Sequence, residues 1–498
     1  MSGPPPGGRL RLGQAAFATV YADLGLAALN IAVVPFLIGR LGTEPYGILG
    51  IVAVLAGQLA ILHGGVGAAA IRLIGDSRGR GGDQLEARLA AVGIVAAVAC
   101  LLVGGTFLLL APTAWRSGFN LTASTLPIAL AAVPPGAVMV AFGPALSSVY
   151  GVLSAREYFL FSSMLRLFQG SGRLLGAVAV VTLGGGVPEV FWAQAGVDLT
   201  TVAIGWTRAR GPRAAAQREH WGEDVREAIR AVLKLGFPLA LVTVLIGLLS
   251  DAEKIAVGLA RSVEDFTYYS VPFNAVVKFT IVSGAVARVL MPRLAALGDA
   301  DEAAALVGRA DRVLAVGLVG VLVPVACLVP ELLQLWLGGE FAERSTVATR
   351  ILILGIAVNT AAFPAHALVF ARARPAHLTI LYAAELALHL LVVYTLVTAM
   401  GIVGAAMAWT LRMILDGALQ RALAERTLER RLGDDAAVWG ALAVLAALVA
   451  LTPVLSLPAR AAVAALTALA SAALLGRGPE GRTLLDSVLP WRWGKTER

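Results

Sequence analysis

Residues 248–270 read LLSDAEKIAVGLARSVEDFTYYS, and the first half sets Asp251, Glu253 and Lys254 inside otherwise oily sequence. Three charges in such a setting ask what solvent surrounds them. The chain has 498 residues, 58% hydrophobic and only 14% charged. Its apolar runs repeatedly reach the roughly 20 residues that a helix needs to cross a bilayer core. A polytopic membrane protein follows, and the useful unit of description is the span.

Windows of about 19 residues place spans at 14–38, 46–70, 89–111, 126–150, 160–183, 188–206, 234–258, 266–291, 312–336, 346–371, 376–400, 401–420, 436–456 and 458–476, fourteen in all. The expected fold is all-α and integral to the membrane, with about 14 transmembrane helices. Basic residues test the count, because Lys and Arg collect in short cytoplasmic loops. With both termini cytoplasmic, the outer loops hold only Arg40, Arg116, Arg261, Arg344 and Arg460, and the inner loops and tails hold most of the others. The net charge of +8 is thus a topology signal spread along the chain. A nucleic-acid surface would gather its charge in one patch, so no nucleic-acid partner is expected.

The start, MSGPPPGGRLRLGQ, reads as a short basic tail. The apolar run after it is too long for a signal-peptide core, so no cleavage is expected. Cys100 and Cys327 fall in apolar spans, where a thiol behaves as a small hydrophobe, and no disulfide or metal site is expected.

The second half of the opening stretch belongs to a repeat. The hairpin after the first span, GRLGTEPYGILG (Gly39 to Gly50), and the one after the seventh, GLARSVEDFTYYS (Gly258 to Ser270), each set an acidic residue shortly before a Tyr. Pro144-Ala145 is answered by Pro364-Ala365 and Asp198 by Asp416, at offsets of 220 and 218. Two six-helix lobes in the same orientation follow, with two extra helices. The resulting layout is a cytoplasmic tail 1–13, an N-lobe 14–206, a cytoplasmic linker 207–233, a C-lobe 234–420, a final hairpin 421–476 and a cytoplasmic tail 477–498. Val225, Ile229 and Val232 share a helical face, so the linker is expected to hold an amphipathic helix on the inner leaflet.

At this point the residues resemble a family. IGRLGTEPYGILG, SDAEKIAVGLARSVEDFTYYSV, VLMPRL, LLQLWLGGEFAERSTVATRILILG and MGIVGAAMAW, spread over most of the chain, are similar to the polysaccharide-exporting lipid flippases. These form the Wzx-type branch of the multidrug/oligosaccharidyl-lipid/polysaccharide (MOP) exporter superfamily. The resemblance implies two lobes around a central cavity, alternating access and export of undecaprenyl-pyrophosphate-linked sugars across the bacterial cytoplasmic membrane. It implies a transporter and not an enzyme, and its expected partners are the lipid-linked oligosaccharide, membrane lipids and other polysaccharide-assembly proteins.

Physical cost selects the site residues, since a charge at mid-bilayer costs at least about 2.5–3.5 kcal/mol unless it is paired or wet. Lys278, Arg173 and Arg412 lie near mid-span and are candidate cavity cations for a pyrophosphate. Arg166 is a fourth candidate, although it lies nearer a span end, where snorkelling lowers the cost. Pairing offers two of them a structural alternative: Arg173 with Asp198, and Arg412 with Asp416 one turn away or with Glu385 on the neighbouring span. Asp23 and Asp198 are candidates for coupling to a proton or Na⁺ gradient, with no cofactor. Asp251 and Lys254 read as an inexpensive pair near the outer end of the seventh span, and with Glu44 and Tyr46 as a candidate outer gate.

Three other functions compete. A MurJ-type lipid II flippase shares the pyrophosphate chemistry and is the nearest. A multidrug cation antiporter of the same fold suits Arg173 and Lys278 poorly unless both are neutralised. A membrane-embedded glycosyltransferase or polymerase is less favoured, because the longest outer loop is only 112–125 and the chain has no P-loop, HExxH or nucleotide fingerprint.

Overall fold

The structure is a computed structural model and describes residues 7–59, 64–76, 83–210, 221–372, 375–433 and 436–477. The side chains of 7–23, 64, 76, 83–84, 210, 221, 242, 285, 288–289, 375–380, 436–437 and 476–477 lie outside that description. So do the linker segment 211–220, the tail from 478 onward and the Asp23 side chain.

The described secondary structure is helical. Its elements are α1 (Gly7–Leu41), α2 (Thr43–Gln58), α3 (Gly64–Asp76), α4 (Asp83–Thr113), α5 (Leu126–Ala131), α6 (Val133–Ala155), α7 (Phe159–Thr182), α8 (Val187–Arg210), α9 (Trp221–Ala260), α10 (Val263–Val277), α11 (Thr280–Ala296), α12 (Ala300–Cys327), α13 (Val329–Leu337), α14 (Gly339–Arg372), α15 (Pro375–Leu428), α16 (Ala436–Leu451) and α17 (Leu457–Arg477). Nine helices among the described residues are long and apolar enough to cross a membrane. One of them, α15, contains two spans: Gly401 leaves helical geometry at φ 59°, ψ −133° and turns the chain back on itself. A glycine tolerates this conformation and a side chain resists it. Adding α8, α16 and the half-helix pairs α2/α3 and α10/α11 gives the fourteen spans read from the sequence.

Two features depart from that reading. The eighth span was expected as a continuous helix, yet α10 and α11 are separated at Lys278-Phe279; in the second span, residues 60–63 between α2 and α3 lie outside the described residues. The starts of α2 and α10, Thr43 and Val263, stand at corresponding places in the two repeats. The amphipathic helix of the linker is not a separate surface helix. It forms the opening turns of the 40-residue α9, with Ala228 and Val232 buried beside Ile74, Leu89 and Leu165. Apolar side chains on one face of a helix are buried as well by protein as by lipid.

Contacts divide the chain into two compact units, Met1–Thr267 and Tyr268–Arg498. In the first unit α6 packs on α3, α4 and α8, α7 lies between α1 and α8, and α9 packs on α2, α3 and α4. Thus α9, assigned to the C-lobe from the sequence, is built into the first unit. Glycine makes this close approach feasible: a Cβ on Gly65 would stand 2.0 Å from the Gly236 carbonyl oxygen, and one on Gly151 would stand 2.4 Å from that of Gly67. Small residues let helices meet where lipid supplies no hydrophobic drive. In the second unit α14 packs on α11, α12, α13 and α15, and α17 packs along α12.

Candidate functional site

In the first unit, Gly172 of α7 faces Val197 of α8, where an added Cβ would approach to 3.0 Å. The next residues along each helix are Arg173 and Asp198, and this close packing brings them together. Arg173 Nε donates to Asp198 Oδ1 at 2.8 Å and a terminal guanidinium nitrogen donates to Oδ2. The Asp198 side chain is fully buried. Gln169, one turn before Arg173, donates from Nε2 to Asp198 Oδ1 at 2.9 Å, and the Tyr150 hydroxyl of α6 donates to Gln169 Oε1 at 2.7 Å. The Arg166 guanidinium lies over the Tyr150 ring, 4.6 Å from its centroid. Five side chains from three helices thus form one network in which the buried carboxylate has both a counter-charge and hydrogen bonds, as desolvation requires.

The second unit builds a different cluster across the α15 hairpin. Arg412 stands 3.5 Å from the fully buried Glu385 carboxylate. The local Arg412–Asp416 pair does not form; Asp416 accepts instead from Gln420 at 3.3 Å, and the Gln420 amide is 3.5 Å from the Tyr382 hydroxyl. The physical reason is burial: Glu385 would cost more alone than the half-exposed Asp416. Nearby on α14 the His366 ring is stacked on Phe370, 4.4 Å between centroids.

Lys278 lies at the interruption between α10 and α11, exposed, and its ammonium has no hydrogen bond or ion pair among the described residues. Asp251 and Lys254 do pair, Nζ to Oδ1 at 2.8 Å. The pair is not a snorkelling one, because Lys254 is buried and Gln58, the last residue of α2, donates to Asp251 Oδ2 at 3.3 Å. Of the other gate candidates, Tyr46 packs among Val33, Leu37 and Val190. Glu44 is fastened to the 122–125 turn: it accepts from the Thr122 amide at 2.8 Å, the Thr122 hydroxyl at 2.7 Å and the Thr125 hydroxyl at 2.8 Å. In the same unit Asn120 donates to the carbonyl oxygens of Leu259 and Arg261 at 3.3 and 2.6 Å, tying the same segment to the α9–α10 hairpin.

Charge alone did not point to Gln58, Tyr150, Gln169, Tyr382 or Gln420. The available signal was spacing, since Gln169 and Gln420 each stand four residues from a candidate charge on the same helix face.

No protein-family model matches this chain. A putative O-antigen transporter of Shigella flexneri is 24% identical over 167 residues, which are 34% of this chain and 40% of that protein, so the match spans well under half of the relative. An inward-facing multidrug resistance MATE family transporter of the MOP superfamily superposes with a TM-score of 0.70 at 12% identity, covering 83% of this chain and 98% of that one. The lipid II flippase MurJ, in an inward closed conformation, superposes with a TM-score of 0.66 at 11% identity, covering 94% of this chain and 98% of that one. The chain shares the fold of these transporters, and the resemblance to polysaccharide flippases read from its sequence is matched by the O-antigen transporter.

Proposed function

We propose that this chain is a lipid-linked oligosaccharide flippase that moves undecaprenyl-pyrophosphate-linked sugars across the bacterial cytoplasmic membrane by alternating access, for polysaccharide biosynthesis. The similarity to a putative O-antigen transporter carries the cargo class. The charge arrangement supports it and narrows the cationic candidates. Arg173 and Arg412 are neutralised by Asp198 and Glu385, whereas Lys278 and Arg166 are exposed cations able to meet a pyrophosphate. Coupling to a proton or Na⁺ gradient is assigned to Asp23, because Asp198 is committed to Arg173. Both termini are cytoplasmic in this reading, as the distribution of Lys and Arg requires.

The experiment is a proteoliposome assay with a fluorescent undecaprenyl-pyrophosphate oligosaccharide. Translocation that falls in Lys278→Ala at normal protein level is the expected result. Translocation of lipid II, or of a compact organic cation, in place of the oligosaccharide would overturn the reading in favour of a lipid II flippase or a multidrug antiporter.

A further inference from the structure

Tyr150 and Arg166 stand the same number of residues from Tyr158, on the two arms of the α6–α7 hairpin, so the antiparallel pairing places them opposite each other. The contact they make is a cation–π contact, with the guanidinium carbon over the ring and 4.6 Å from its centroid. Such a contact consumes none of the guanidinium's hydrogen bonds, so its N–H groups remain for the oxygens of a phosphate. Arg173 is differently placed, since its Nε and one terminal nitrogen are already on Asp198. Among the described residues Arg166 makes no hydrogen bond or ion pair, and it is exposed.

The ring is itself held. Its hydroxyl donates to Gln169 Oε1 at 2.7 Å, and the same amide donates to Asp198 Oδ1 at 2.9 Å. Hydrogen bonds therefore run in one direction, from the tyrosine through the glutamine to the buried Asp198–Arg173 pair, which fixes the plane on which Arg166 rests. Arg166, Gln169 and Arg173 follow one another along one face of α7.

We propose that Tyr150 is the positioning residue of an anion site in the first unit: its ring presents Arg166 to a phosphate or pyrophosphate group, and its hydroxyl is locked through Gln169 to the Asp198–Arg173 pair. The identity of the anion as part of a lipid-linked cargo rests on the flippase reading; the anion site itself is separable from it. An arginine without this support would sample many rotamers and lose part of its binding free energy to ordering.

The test is a mutant cycle on purified full-length protein, reading the affinity for inorganic pyrophosphate from its stabilisation of thermal unfolding. Tyr150→Leu is expected to weaken affinity by about three- to tenfold, the span of a cation–π contact. Tyr150→Phe keeps the ring and is expected to cost about twofold or less. On an Arg166→Ala background, itself weakened, Tyr150→Leu is expected to add nothing. Equal losses from Tyr150→Leu on both backgrounds would overturn the proposal, and so would unchanged affinity in Tyr150→Leu. If that variant does not fold, Tyr150→Met, which also removes the ring, replaces it in the cycle, with the same expectation of a loss that vanishes without Arg166. The binding cycle and the proteoliposome translocation assay together separate the two readings. Non-additive pyrophosphate binding without oligosaccharide translocation sustains the anion site and sinks the cargo assignment, whereas translocation with additive losses sinks the positioning role alone.

Discussion

The two units bury a carboxylate against an arginine in corresponding helix pairs, and they do so with opposite polarity. In the first, arginine is on the earlier helix and aspartate on the later one; in the second, Glu385 precedes the Gly401 turn and Arg412 follows it. Satisfaction differs more than polarity. Asp198 takes two hydrogen bonds from Arg173 and one from Gln169, while neither oxygen of Glu385 has a hydrogen bond among the described residues and its arginine stands at 3.5 Å. A saturated buried pair loses much when one partner is removed. A loose one returns part of its desolvation cost when neutralised.

The largest expected effect breaks this comparison directly. Asp198→Ala leaves Arg173 and Gln169 without their acceptor and is expected to destabilise the protein by about 3 kcal/mol, the lower end for a broken buried pair because Arg173 is partly exposed. Glu385→Gln removes a charge that no hydrogen bond supports and is expected to stay within about 1 kcal/mol of the parent, on either side. Thermal unfolding of the two purified variants checks the pair. Comparable losses would mean that both clusters are equally tight.

Next in size is the turn that builds the second cluster. Gly401→Ala forces a side chain into a conformation that costs about 1–3 kcal/mol. A Cβ on the neighbouring Gly404 would lie 1.9 Å from the Leu396 carbonyl oxygen, so the hairpin has little room to relax. The first unit joins α7 to α8 without an equivalent glycine inside a helix, at Gly184 (φ 85°), in an open turn where an added Cβ meets nothing within 4 Å. Gly184→Ala is therefore expected to cost less than Gly401→Ala, and unfolding temperatures that rank the other way would contradict the account.

The fold was legible because apolar length and the distribution of Lys and Arg are strong signals that survive averaging over a span. The interruption at Lys278-Phe279 was not, since window hydropathy reports composition and not backbone continuity, and Lys278-Phe279 contains neither Pro nor Gly. The charged residues of the candidate site were visible one by one. Their partnering depended on the packing of particular helices: Gly172 against Val197 for one pair and the α15 hairpin for the other. Arg412 illustrates the limit, because helical spacing offered Asp416 and the fold supplied Glu385.

The smallest effect concerns the ends of the spans. Glu44 accepts three hydrogen bonds from Thr122 and Thr125, but in a half-exposed setting where water competes. A hydrogen bond to a charged group contributes about 1.5–3 kcal/mol, less where water competes, and a carboxamide oxygen can keep some of the three. Glu44→Gln is therefore expected to lower stability by about 1 kcal/mol or less, well below Asp198→Ala. If the tie between the α1–α2 hairpin and the 122–125 turn is part of an outer gate, the same substitution should act on opening more than on folding. A cysteine placed at Ser124 would then react faster with a membrane-impermeant maleimide added from outside when Glu44 is replaced, with only a small drop in unfolding temperature. Equal labelling rates in the two proteins would assign Glu44 to local loop structure and remove it from the gate.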